Sequence, residues 1–284
     1  MGGMNQDKDR RVRIGMVNFI NTAPLYETWM ETVRRPEWHV TEAVPAVLNR
    51  MLENDELDLG FMSSHEYAVN PDRYKMLSNL SISARGHVGS VELFADVPAR
   101  ELDGKKILLT AQSQTSVSLL KIILEDFYNV QPIYEKGALD GPQYALDQYA
   151  GIMAIGDQAL SLAASKQYRH TLDLGEAWHE KTGLPFVFAV WGVREAFCRD
   201  DPDNVVAIHH ELLRCVADGR RNLHEISARV APRIPMPVDA CYTYLKGIEH
   251  DLDEDKQKGL TLFYEYLMQR GEAGKEALPL KICG

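Results

Sequence analysis

The stretch Asn18-Phe-Ile-Asn21-Thr22-Ala-Pro-Leu25 follows directly on the apolar run at residues 12–17, and reading it as a strand giving way to a helix decides the fold. Residues 11–17 are short and rich in β-branched side chains. Residues 24–33 place Leu25, Trp29 and Val33 four apart, as one face of a helix requires. Small amide and hydroxyl groups therefore stand at the carboxyl end of a buried strand, which is where open α/β sheets collect ligands.

The pattern recurs along the chain. Thr110-Ala-Gln-Ser113-Gln-Thr115-Ser116-Val117 follows a strand at 106–109, Ser63 ends a strand at 57–62, and Gly156-Asp157 ends one at 152–155. Residues 115–127 form the best amphipathic helix, with Leu119, Leu120, Ile123, Leu124 and Phe127 on one face. Repeated polar strand-to-helix junctions predict a ligand held between two lobes.

Further strands are expected at 38–42, 74–80, 88–95 and 185–191, with a break at 96–99. Beyond Asp200 the pattern is helical, near 204–219, 221–228, 239–247 and 253–270. The expected organisation is a disordered leader at 1–10, a first lobe from 11–95 and 192–284, and an inserted second lobe from 96–191. Crossings near Ala95 and Trp191 would then form a hinge.

A length of 284 residues suffices for two modest cores. The net charge of -10, with no basic stripe, argues against nucleic acid or an anionic membrane as partner. An anionic small molecule would have to be held by local donors such as hydroxyls, amides and helix N-termini. Cys198, Cys215, Cys241 and Cys283 have neither metal nor redox spacing and read as reduced thiols. The leader lacks the apolar core of a secretory signal, and no run approaches the ~18 apolar residues of a membrane span. A cytoplasmic location is expected, and the oligomeric state is left open.

Each candidate residue has a structural reading beside the functional one. Asn21 and Thr22 suit the cap of the next helix, and Ser113, Thr115 and Ser116 suit either an over-endowed cap or an anion site. Ser63 and Glu66 have capping-box spacing. Ser90 sits in a strand whose inward face is undetermined, and Glu92 shares that face if the strand is regular. Asp157 could bond a ligand hydroxyl or serve the helix dipole. His65 and His87 are possible acid-base groups, whereas His209, His210 and His224 read as solvated. No triad, paired carboxylates or metal cluster stands out, and the missing glycines and lysine exclude a Walker loop at 110–117.

Phe19-Ile-Asn-Thr-Ala-Pro-Leu25, Leu57-Asp-Leu-Gly-Phe-Met-Ser-Ser64, Ser113-Gln-Thr-Ser-Val117, Ile155-Gly-Asp-Gln-Ala-Leu160 and Thr182-Gly-Leu-Pro-Phe-Val-Phe-Ala-Val-Trp191 occur in that order. Together they resemble the chorismate dehydratases of the futalosine route to menaquinone. The resemblance implies an α/β, two-lobed type 2 periplasmic-binding-protein-like fold, with a mixed sheet in each lobe, the ligand cleft between them and the helical C-terminal region packed on the first lobe. It also implies loss of water from chorismate, giving 3-[(1-carboxyvinyl)oxy]benzoate. By similarity the family's site asparagine falls on Asn21 and its strand serine on Ser90, with Ser63 and the turn 113–116 at substrate-binding positions. Aromatisation drives that reaction, so no metal or redox cofactor is called for.

These residues are mostly neutral, which leaves the general base unassigned; one of the substrate's own carboxylates is the expected proton acceptor. The rivals are 1,4-dihydroxy-6-naphthoate synthase of the same route, similar in fold, and a non-catalytic protein binding a small anion.

Overall fold

A computed structural model of the chain describes residues 11–139 and 148–284; the leader expected at 1–10 lies outside the described residues. Its strands are β1 (Val12–Met16), β2 (Trp38–Glu42), β3 (Leu59–Ser63), β4 (Tyr74–Ala84), β5 (Val91–Ala95), β6 (Lys106–Thr110), β7 (Ile133–Gly137), β8 (Gly151–Ile155), β9 (His170–Asp173), β10 (Phe186–Arg194) and β11 (Ile282–Cys283). They form two mixed sheets, ordered β11-β4-β10-β3-β1-β2 and β7-β6-β8-β5-β9. β3, β5 and β8 are buried along their whole length. Strands covered on both faces have little need of a polar side, which is why they read as mostly apolar runs, Glu92 in β5 being the charged exception.

In the first sheet β1 lies between β2 and β3, both parallel to it. The chain leaves β1 towards one neighbour through the helix Ala23–Thr32 and returns to the other through Pro45–Glu53. The carboxyl end of β1 is thus a topological switch point, and residues 18–25 occupy it. The second sheet repeats the device. β6 lies between parallel β7 and β8, so Ser113 to Ser116 occupy a second switch point.

Close backbone approaches hold the first of these in place. Gly15 and Gly60 face each other across β1 and β3, where a Cβ on Gly60 would lie 2.7 Å from the Gly15 carbonyl oxygen. Where the helix Pro202–Arg221 crosses Ala23–Thr32, a Cβ on Gly219 would overlap the Pro24 carbonyl oxygen. The C-terminal helices therefore set the position of the turn that carries Asn21.

Sheet membership moves the hinge. β5 pairs antiparallel with β8 and β9, and β10 inserts between β3 and β4. The chain thus crosses at residues 85–90 and 183–185, ahead of Ala95 and Trp191. The helix at 114–127 changes at Ile122 from α to one π turn. β7, β9 and β11 were not anticipated, being short and carrying polar or half-exposed residues.

The segment after the helix Val238–Gly247 bonds to β4: Ser81 N–H donates to the His250 carbonyl at 2.9 Å, and Ser83 and Glu249 exchange bonds at 3.0 and 2.9 Å. His209, expected in solvent, is 4% exposed. Its Nε2 meets the Ser78 carbonyl at 2.8 Å, because the helix that carries it lies against β4. No helix among the described residues is long and apolar enough to cross a membrane.

Candidate functional site

The two switch points face each other across a cavity between the lobes. Asn21, Thr22, Ser63, Ser90, Ser113 and Ser116 all line it. Phe19, Phe61 and Phe188 supply much of the apolar wall, with Phe61 backed by Trp191 at a centroid distance of 4.6 Å. No ionisable side chain lines it among the described residues.

Two of these polar groups are left open. The Asn21 Oδ1 and Ser90 Oγ are buried without an aligned hydrogen-bond partner, a costly state in a finished core and a useful one where a guest is to be received. The backbone around each is firmly held. Ile20 N–H donates to Asp157 Oδ1 at 3.0 Å, and His250 Nε2 meets the Asn21 carbonyl at 3.1 Å. His250 Nδ1 faces Arg220 Nη1 at 3.4 Å. A guanidinium only donates, so Nδ1 accepts and Nε2 carries the proton given to Asn21. Burial holds the His250 pKa down at about 4, which keeps this tautomer neutral near pH 7.

Ser90 follows Gly89 at φ 70°, in the left-handed region that favours glycine. The Ser90 carbonyl accepts from Gly156 N–H at 2.7 Å. Asp173 accepts from Gly89 N–H at 2.6 Å and from Val88 N–H at 3.0 Å, fixing the crossover just ahead of Ser90. The buried Tyr244 hydroxyl has its pKa raised by burial. Ser90 lies near enough to oppose that shift, without being aligned as its donor or acceptor.

Ser63 Oγ accepts from Asn49 Nδ2 at 2.9 Å and from Glu66 N–H at 3.2 Å, the second being one half of the expected capping box. Ser113 caps the helix Gln114–Lys121 by accepting from Ser116 N–H at 3.3 Å, and the two serine oxygens lie 3.1 Å apart. Thr22 lines the cavity, but its hydroxyl proton is shared between the carbonyls of Val17 at 2.7 Å and Phe19 at 2.8 Å.

Two expected site residues lie elsewhere. Thr115 Oγ1 accepts from His65 N–H at 2.9 Å, and Asp157 accepts from Ile20. Both span the lobes rather than lining the cavity, because side chains so close to the opposite lobe find backbone donors there first.

The candidate acid-base groups also lie off the cavity. His65 Nε2 pairs with Glu272 at 3.4 Å, and that bond, with Ser118 and Arg270, holds the Glu272 pKa down at about 2. Glu92 does not share the Ser90 face, because regular pairing begins only at Val91 and sets Glu92 opposite Asp173. Burial and the Asp173 charge raise its pKa to about 7. His87, Glu92 and Asp173 bring ligand atoms within 4.8 Å of one another. Asp173, however, already accepts from the N–H groups of Val88, Gly89 and Glu176, and so serves the backbone.

Asn49, Arg220, Tyr244 and His250 were not foreseen. Asn49 left a trace, a polar residue between Leu48 and Leu52 on an amphipathic helix. His250 adjoins an acidic run, and nothing local marks it as buried.

Residues 12–269 match the family model described as menaquinone biosynthesis. The chorismate dehydratase of Thermus thermophilus is 32% identical over 269 residues, covering 89% of this chain and 94% of that protein. A crystal structure of a protein from Archaeoglobus fulgidus is similar at TM-score 0.73 and 19% identity, covering 93% of this chain and 99% of that one. The periplasmic aliphatic sulphonate binding protein SsuA from Escherichia coli is similar at TM-score 0.66 and 15% identity, covering 97% and 92%. With the two mixed sheets, these likenesses establish the periplasmic-binding-protein-like fold.

Proposed function

The chain belongs to the menaquinone biosynthesis family, and from that membership together with the cavity we propose that it is a chorismate dehydratase, a hydro-lyase converting chorismate to 3-[(1-carboxyvinyl)oxy]benzoate. The observation that carries this reading is the meeting of uncharged polar groups from both switch points on one aromatic-walled cavity, two of them buried and open.

The reaction needs little more than such a site. The ring carbon bearing the enolpyruvyl ether loses its proton, the electron pair spreads through the ring alkene to the ring carboxylate, and the neighbouring hydroxyl departs. The proton and hydroxide leave as water, and the ring becomes aromatic. Charge grows on the ring carboxylate, so hydroxyl and N–H donors fixed around it favour the transition state over the ground state. The proton acceptor in this proposal is the substrate's enolpyruvyl carboxylate, a reading supported by the lack of ionisable side chains among the described lining residues. Asn21 and Ser90 orient that carboxylate and the leaving hydroxyl. Location in the cytoplasm is part of the proposal, since the substrate is a biosynthetic intermediate.

Purified protein incubated with chorismate should consume it and release an aromatic product with the ultraviolet spectrum of a substituted benzoate. A protein that binds chorismate without converting it would be a binding protein, and one that ignores chorismate but releases dihydroxynaphthoate from its cyclic precursor would be the later enzyme.

A further inference from the structure

We infer that Asn49 is a positioning residue that makes the Ser63 hydroxyl an obligate hydrogen-bond donor to the cavity, so that this subsite takes an acceptor oxygen and suits a carboxylate. The orientation of the Asn49 amide is fixed by a partner that cannot be reversed. Ser63 N–H donates to Asn49 Oδ1 at 3.1 Å, and an N–H is never an acceptor. The other end of the amide must then be Nδ2, and it donates to Ser63 Oγ at 2.9 Å. Glu66 N–H donates to the same oxygen at 3.2 Å.

A serine hydroxyl has two lone pairs and one proton. Both lone pairs are taken, so only the proton is free, and Ser63 lines the cavity while only 2% exposed. A guest ammonium, which only donates, finds no acceptor at Ser63, whereas a carboxylate oxygen completes the set. Asn49, 4% exposed, touches the guest only through this relay.

The inference rests on the cavity being the substrate site, and the two can fail separately. The experiment is a double-mutant cycle on Asn49→Asp and Ser63→Ala, read with benzoate as a non-reacting carboxylate probe by calorimetry and with chorismate by steady-state kinetics. An acidic side chain at position 49 still accepts from Ser63 N–H but also draws the Ser63 proton to itself, turning a lone pair into the cavity. N49D and S63A should each weaken benzoate binding and raise the chorismate KM about 10- to 100-fold, the worth of one hydrogen bond to a charged group. Their effect on kcat should be much smaller. In the S63A background N49D should add no more than about threefold, since the effect passes through the serine.

An equal further loss in that background would mean that the new charge acts directly, and would overturn the inference. So would wild-type protein that does not bind benzoate, or N49D that binds it normally. Benzoate binding with the expected cycle but no chorismate turnover would retire the dehydratase reading and leave this one standing. If N49D does not fold, N49A runs the same cycle, its effect again vanishing in the S63A background.

Discussion

Replacing Glu92 by glutamine separates a buried structural acid from a catalytic one. The Glu92 side chain lies in β5, 6% exposed, opposite an Asp173 that lies 3.1 Å from His87 Nδ1 and is bonded to the crossover backbone. Burial first and the Asp173 charge second raise its pKa from 4.5 to about 7. A carboxyl whose folded pKa is raised contributes stability that is complete below 4.5 and is lost as pH rises through 7. At about 1.4 kcal/mol per tenfold change in proton affinity, the loss reaches about 3 kcal/mol. Glutamine has nearly the same shape and cannot ionise. Its unfolding free energy relative to wild type should therefore climb by up to about 3 kcal/mol between pH 4.5 and pH 8. Urea unfolding of both proteins at pH 5, 6.5 and 8 reads this difference directly. A difference that stays constant across the series would refute the reasoning. Turnover of E92Q on chorismate should stay within a few fold of wild type, because Glu92 does not line the cavity; a variant that binds chorismate but is inert would make Glu92 the base and end the substrate-base mechanism.

Asn21→Ala and Ser90→Ala should each lower kcat about a hundredfold or more, with thermal unfolding little changed, since neither side-chain oxygen has an aligned partner to lose; normal rates in both would remove them from the mechanism. His250→Gln should change the acid limb of stability: the wild-type imidazole, depressed to about 4, contributes stability present above its unfolded pKa of about 6.5 and lost as pH falls through 4, by up to about 3 kcal/mol, and the variant's unfolding curve should lack that loss. Gly219→Ala should cost about 1–3 kcal/mol by pushing the helix Pro202–Arg221 off the Pro24 carbonyl, and should lower kcat by displacing Asn21, as calorimetry and steady-state rates would show together.

What could be read from the residues was what local physics controls. Residues 12–25, 57–66 and 106–117 each combine an apolar strand with a polar cap, and all three elements and the shared cavity follow from that pattern. Ser63 and Ser113 act as caps while also lining the cavity, so the capping and ligand readings were never exclusive. The crossings fall earlier than expected because β5 and β10 are mostly apolar, and a mostly apolar strand does not announce which sheet it joins. Asp157 and Thr115 lie off the cavity for a different reason. Their partners, Ile20 and His65, are 137 and 50 residues away, and no local pattern reports a bond formed across two lobes.

The bond between Asp157 and the Ile20 backbone has a consequence for the timing of catalysis. Asn21 belongs to one lobe and Ser90 to the crossover that leads into the other, so their spacing depends on how the lobes sit, and Asp157 grips the residue beside Asn21 from across the gap. A gaping molecule would be a collection of half-sites. Chorismate would enter an inert vestibule, become reactive only on being sealed in, and depart as the benzoate when the grip is released, so the slow event of a cycle could be unclasping rather than bond breaking.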